Sequence, residues 1–261
     1  MLFDINAHLG PFALRELRHT TAEDLLSFMD RHGIGRALVS SAAAIAYKDC
    51  HSGNEQLARE AAGAPRLIPC AVLNPAYAGW EKDLERCAGP LGMRALKLYP
   101  AWHNYTLRDP RCDALVAAAT DLGLPVIVPV RAVDGRQLSW LFEVPDVSPT
   151  DFAALIQRHP QGRFVLTEGI GLAGSPLVTD HANLPANYWI EMSRMSLYLG
   201  GDIPRLLETL GPERTLFGTG MPFKYPGPAL LKLEKLQASD EAKRLIAGAN
   251  ALNLLGLNPA S

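Results

Sequence analysis

The sequence predicts a (β/α)8 barrel on three observations. Eight short apolar runs recur along the chain, a stretch of helical periodicity follows each one, and polar or charged residues collect at the C-terminal ends of several runs. The length of 261 residues suits one such barrel, read as a single domain over 1–261, because no low-complexity segment, charge block or Gly/Ser linker divides the chain. An open doubly wound sheet is the structural competitor.

The strands are expected at about 2–8 (LFDINAH), 36–40 (RALVS), 66–73 (RLIPCAVL), 93–99 (MRALKLY), 125–131 (PVIVPVR), 163–168 (RFVLTE), 187–193 (NYWIEMS) and 214–219 (RTLFGT). Thr21-Ala22-Glu23-Asp24 opens the first helix with a capping pattern, Leu25, Phe28 and Met29 give its apolar face, and Gly33 closes it. Further helices are expected at 54–62, 80–87, 110–122, 149–158 and 203–210, with two more after the last strand at about 228–237 and 240–255. The segment 169–186 is rich in Gly and Pro and has room for only a short helix.

Composition narrows the function. A hydrophobic content of 48% with 20% charged residues is that of an ordinary globular core. The net charge of −2 gives no electrostatic case for nucleic acid or for an anionic membrane. Asp4 and Asn6 interrupt the N-terminus before an apolar run develops, so no secretory signal is expected, and no stretch is apolar enough to span a bilayer. The four cysteines, Cys50, Cys70, Cys87 and Cys112, are scattered without a C-x-x-C pair. This spacing fits a reduced, cytoplasmic protein rather than a disulfide framework or a zinc knuckle.

If the barrel forms, its reactive groups belong at the C-terminal strand ends and in the loops after them. Asp4, Asn6 and His8 alternate along the first strand and so share a face. The fourth strand ends in Lys97 and Tyr99, the fifth in Pro129 and Arg131, the sixth in Glu168, and the seventh carries Glu191 with Arg194 just beyond. The eighth runs into Gly218-Thr219-Gly220-Met221-Pro222 and brings no ionisable group. Each residue has a structural reading: a core histidine, an internal Lys97–Glu168 ion pair, an Arg131 reaching solvent, an Asn6 tying a turn. Charged groups at the ends of buried strands are nonetheless costly unless paired, and their convergence on one end of one barrel favours a site. A formal G-x-G-x-x-G, Gly169 to Gly174, follows strand six, with Glu191 22 residues after Gly169. Pro176 and Pro185 leave little space for the helix a dinucleotide would need, so a loose glycine loop is the favoured reading.

Taken together, the segments FDINAHLG, AEDLLSFMDRHGIGRALVS, RALKLYP, LPVIVPV, RFVLTEGIG, RTLFGTGMP and IAGANALNLLGL resemble, in order and spacing, the amidohydrolase-related proteins (amidohydrolase family 2) of the metal-dependent hydrolase superfamily. The resemblance runs nearly the whole chain and implies a metal-dependent hydrolase-like TIM barrel. The family's metal centre uses an H-x-H pair on strand one, a histidine ending each of strands five and six, and an aspartate on strand eight. Here the pair becomes Asn6 and His8, Pro129 and Glu168 stand at the two histidines, and Gly220 stands at the aspartate that usually moves the proton. Proline and glycine side chains cannot ligate, so only His8 survives as a family ligand and no cofactor is expected. A rewired divalent site would have to recruit His8 and Glu168 with Glu191 or His103.

Three functions follow as expectations. The first is a metal-independent hydrolase, similar to the superfamily's lactonases, or a lyase, acting on a small anionic carboxylate-bearing molecule. His8, Glu168 and Lys97 would be catalytic, and Asn6, Tyr99, Arg131, His103 and Glu191 would bind substrate. The second is a ligand-binding barrel without turnover, and the third is the rewired metallohydrolase. The segments 103–105 and 137–142 are candidates to close the mouth, and the apolar cluster in the latter also suits a subunit interface, which leaves a homo-oligomer open.

Overall fold

A computed structural model describes residues 1–258. Eight parallel strands form one sheet in sequence order: β1 (Phe3–Leu9), β2 (Arg36–Ser41), β3 (Leu67–Val72), β4 (Leu96–Lys97), β5 (Val126–Pro129), β6 (Phe164–Thr167), β7 (Tyr188–Glu191) and β8 (Thr215–Leu216). The sheet curls until its edges meet. Ile5 N–H donates to Phe217 O at 3.0 Å, Gly220 N–H to Asn6 O at 2.8 Å and His8 N–H to Met221 O at 2.8 Å, which joins β1 to the chain around β8. The barrel therefore holds, and the doubly wound alternative does not.

Helices alternate with the strands: α1 (Ala22–Arg31), α2 (Cys50–Ala61), α3 (Trp80–Ala88), α4 (Pro110–Asp121), α5 (Pro149–Arg158), the one-turn α6 (Pro176–Thr179), α7 (Asp202–Leu210) and α8 (Gly227–Lys235). Their starts follow local chemistry. Thr21 accepts from Asp24 N–H at α1, Asp109 caps α4 and Ser148 caps α5, with Pro110 and Pro149 at the first turn where a missing N–H costs nothing. Leu25, Met29, Leu115 and Phe152 turn from these helices onto the outer faces of the strands. Inside the barrel, Phe3, Ile5, Leu38, Ile68, Ile127, Val165 and Leu216 pack together and against Leu252 and Leu255 of the C-terminal helix, which plugs the end opposite the polar residues. That plug, expected as one helix over 240–255, is broken into Asp240–Arg244, a wider turn at Leu245–Ala249 and Asn250–Leu254. The break lets Ile246 O accept from Phe217 N–H at 3.0 Å. No helix among the described residues is long and apolar enough to cross a membrane.

Candidate functional site

Strand β1 sets the polar end of the barrel. Its pairing with β2 shifts register between Asp4 and Ala7. Asp4 turns to the strand-eight side, where it accepts from Thr219 N–H at 3.0 Å, from Thr219 Oγ1 and from Asn6 N–H at 2.9 Å. Asn6 and His8 point to the mouth. Asn6 is fully buried and its amide bridges two charges: Oδ1 accepts from Lys97 Nζ at 2.7 Å, and Nδ2 donates to Glu168 Oε1 at 2.7 Å. The Lys97–Glu168 pair expected from the sequence is thus mediated by an amide rather than direct. Lys97, 2% exposed, also lies 3.3 Å from His8 Nε2, and Tyr99 OH lies 3.2 Å from the same nitrogen.

This arrangement fixes the state of His8. Burial first, then the Lys97 ammonium, hold its pKa well below the usual histidine value, so the ring is neutral. With Lys97 donating to Nε2, the hydrogen-bond network assigns the ring proton to Nδ1, which is buried and has no protein partner. The ring lines a cavity of about 50 Å³ together with Glu168, Arg194, Gly220 and Lys224.

Glu168 closes the cluster from β6. It adopts φ +61°, a left-handed conformation that costs a non-glycine residue roughly 1 kcal/mol or more and is met chiefly where the surroundings enforce it. Glu191 supplies that enforcement. Its Oε2 accepts from Glu168 N–H at 3.2 Å and from Ser193 Oγ at 3.1 Å, and Oε1 accepts from Ser193 N–H. Burial, then the neighbouring Glu168 carboxylate, push the Glu191 pKa up to about 7.

Two further cations complete the cluster: Lys224, which strand-end reasoning missed, and Arg194, noted just beyond strand seven but given no role. Lys224 Nζ donates to Glu168 Oε2 at 2.6 Å and to Ser193 Oγ at 3.2 Å. Arg194 lies 3.7 Å from Glu168 Oε2 and donates to Asp134 at 3.3 Å. The signal for Lys224 was Gly220. A Cβ there would stand 2.3 Å from Lys224 Cε and 2.6 Å from Glu168 Oε1, so the absent side chain leaves the space that the lysine stem occupies.

Two expected site residues lie elsewhere. His103 packs behind the mouth, with Nε2 3.0 Å from Ala44 O and 3.7 Å from Cys50 Sγ. Burial and nearby Asp49 and Asp83 push the Cys50 thiol up to about 12, so the pair is no activated nucleophile. Arg131 is also outside the cluster; it pairs with Asp146 and lines an adjoining chamber. Glu191 is close but acts on Glu168 and Ser193 and does not line the His8 cavity. The glycine run after β6 opens only α6 of four residues, too short for a dinucleotide helix.

The profile of the amidohydrolase family matches residues 4–257. No curated protein matches the sequence. Among solved structures, 5-carboxyvanillate decarboxylase from Sphingomonas paucimobilis is 20% identical over 89% of this chain and 82% of its own, with a TM-score of 0.69. 2,6-Dihydroxybenzoate decarboxylase from Rhizobium is 18% identical over 97% and 99%, with a TM-score of 0.70. A dihydroxybenzoic acid decarboxylase from Polaromonas sp. JS666, with bound manganese and the inhibitor 2-nitroresorcinol, is 17% identical over 98% and 96%, with a TM-score of 0.71.

That manganese corrects the expectation of a barrel without a cofactor: solved proteins of this fold carry one. The side chains at this mouth do not fit such an ion as they are arranged. Both oxygens of Glu168, of Glu191 and of Asp4 are engaged by protein donors, which leaves His8 Nδ1 as the one open position of the cluster. Among the described residues, no group of three His, Cys, Asp or Glu is placed to hold a metal.

Proposed function

Because the chain belongs to the amidohydrolase family, we propose that its barrel mouth is a catalytic site for a lyase reaction, the decarboxylation of a small carboxylate-bearing molecule, with His8 delivering the proton. The observation that carries this reading is the setting of His8: a neutral ring that lines the cavity beside Arg194 and Lys224, with Lys97 behind it at Nε2. Decarboxylation breaks the bond between carbon and carboxylate, releases CO2 and needs one proton on the carbon left behind. Transfer of the Nδ1 proton to that carbon, with Lys97 protonating the ring at Nε2 in the same step, supplies it; solvent then returns a proton to Nδ1 and the ring passes its Nε2 proton back to Lys97, which restores both groups.

Lys224 and Arg194 are the groups that would receive the carboxylate. Each now leans on Glu168 or Asp134, and an incoming anion exchanges for those partners. The raised pKa of Glu191, from burial and then from Glu168, reduces the negative charge around the cations and favours an anionic ligand. Hydrolysis of a lactone would need a free base facing the cavity, whereas both oxygens of the Glu168 carboxylate there are held by Asn6 and Lys224; this favours the lyase over the hydrolase. The decarboxylases among the solved relatives support the same choice.

The test is release of CO2 from a panel of small aryl and alkyl carboxylates, run in deuterated water so that the product records the proton delivered. Active protein should place one solvent deuteron at the carbon that lost CO2. His8→Ala should lower the rate by about 100-fold or more while the protein stays folded. Unchanged turnover in that variant would remove His8 from the mechanism.

A further inference from the structure

The His8 cavity, at about 50 Å³, has room for a carboxylate and little more, so most of any larger substrate lies elsewhere. A second chamber of about 220 Å³ adjoins it: Ala132 and Val133 line both spaces. Tyr99 lines the second chamber, and its hydroxyl is 3.2 Å from His8 Nε2, so one wall of the chamber reaches the reactive cluster. Trp102, Leu138 and Phe142 give the chamber apolar walls, Asp146 and Tyr99 add polar surface, and its one cation is Arg131.

Arg131 is half-engaged. One terminal nitrogen is paired with Asp146, while Nε is buried without a partner. With only one terminal nitrogen paired, the guanidinium keeps donor capacity for a ligand acceptor in the chamber. Because Asp146 already balances the guanidinium charge, a neutral acceptor suits the position better than a second anion, which would face the Asp146 carboxylate.

We infer that the chamber is the specificity subsite of this enzyme, taking a flat body whose far end carries a neutral hydrogen-bond acceptor, such as a carbonyl or ether oxygen, bound by the Arg131 guanidinium. The substrate class becomes a carboxylic acid with two recognised ends, the carboxylate at Lys224 and Arg194 and the acceptor at Arg131. This rests on the reading of the His8 cavity as the carboxylate end.

Three isosteric probes separate the possibilities: benzoates bearing isopropyl, acetyl or carboxyl groups, each as the 3- and 4-substituted isomer, titrated by calorimetry into the intact protein. The acetyl compound of one isomer should bind about tenfold tighter than both its isopropyl and carboxyl counterparts, the size of one hydrogen bond to a charged donor. Arg131→Met should erase that preference while retaining affinity for the isopropyl compound. Leu138→Trp, which fills the chamber, should weaken all substituted benzoates and leave acetate binding unchanged. Equal affinities across the three groups, or a preference that persists in Arg131→Met, overturns the subsite. Acetate binding that is insensitive to Lys224→Met overturns the carboxylate end as well, so the two failures are distinguishable.

Discussion

At the scale of single residues, the site depends on groups whose burial decides their protonation. Glu191 is fully buried and its carboxyl is raised from the ordinary 4.5 to about 7, so the folded protein keeps a proton that the unfolded chain gives up. Since the folded pKa is the higher, its stabilising effect is complete below pH 4.5 and is lost as pH rises through about 7. That difference corresponds to about 3 kcal/mol at 1.36 kcal/mol per unit. Glu191→Gln, which removes the titration but keeps the side-chain shape, should therefore be distinctly more stable relative to the native protein at pH 8 than at pH 5. Guanidinium unfolding at the two values checks this, and a pH-independent difference would mean that Glu191 does not titrate in the folded state. The same variant should shift the pH profile of turnover, because Glu191 holds Glu168 N–H and with it the conformation that aims Glu168 at Lys224. This role was out of reach of sequence reasoning, which placed Glu191 on the substrate: a strand pleat tells which face a side chain takes, not which neighbour it holds.

At the scale of elements, the loop after β8 carries the second half of the cluster. Gly220 has φ +74°, and an added Cβ would overlap Lys224 Cε and Glu168 Oε1. Gly220→Ala should cost about 2 kcal/mol from backbone strain and crowding, and should displace Lys224 from Glu168. In a Lys224→Ala background the cost should shrink, since the crowding partner is gone and the two changes share a contact; urea unfolding of the four proteins gives the coupling directly. Additive costs would show that Lys224 does not occupy that space. The elements differ in how well the sequence announced them. β1 to β3 and β5 to β7 fell close to where the apolar runs put them. β4 and β8 shrank from the expected 93–99 and 214–219 to two residues each. Arg94 and Leu98 still donate to Pro69 and Ile127, but to one neighbour apiece, and Phe217 N–H is taken by the plug. Asn6, His8, Lys97, Tyr99 and Glu168 were legible because strands deliver them. Lys224, Ser193, Arg194 and Asp134 arrive on loops, where no period marks an inward-facing residue, and His103 looked functional only because it follows a strand end.

At the scale of the whole molecule, the site exists only if the barrel closes, and the closure runs through the same strand that carries His8. Asp4 is the clasp. Fully buried, it accepts from Thr219 N–H, Thr219 Oγ1 and Asn6 N–H, while Thr219 Oγ1 accepts in turn from Met221 N–H at 3.0 Å. The three backbone hydrogen bonds between β1 and the chain around β8 lie on either side of this clasp, so the carboxylate holds first and last strands in register. Asp4→Ala would strand three buried donors at once and should destabilise the protein by about 3 kcal/mol or more. Thr219→Val leaves the Thr219 N–H with its acceptor but removes the hydroxyl from both Asp4 and Met221 N–H, and should cost about 2 kcal/mol. Because Asn6 N–H rests on Asp4 while the Asn6 amide bridges Lys97 and Glu168, loosening the clasp should also disorder the charge pattern at the mouth. The expected outcome for Asp4→Ala is a lower urea midpoint together with a loss of turnover at temperatures where the protein is still folded. Thr219→Val should lose stability alone. Equal effects of the two variants on turnover would mean that Asp4 serves the fold and has no hold on Asn6.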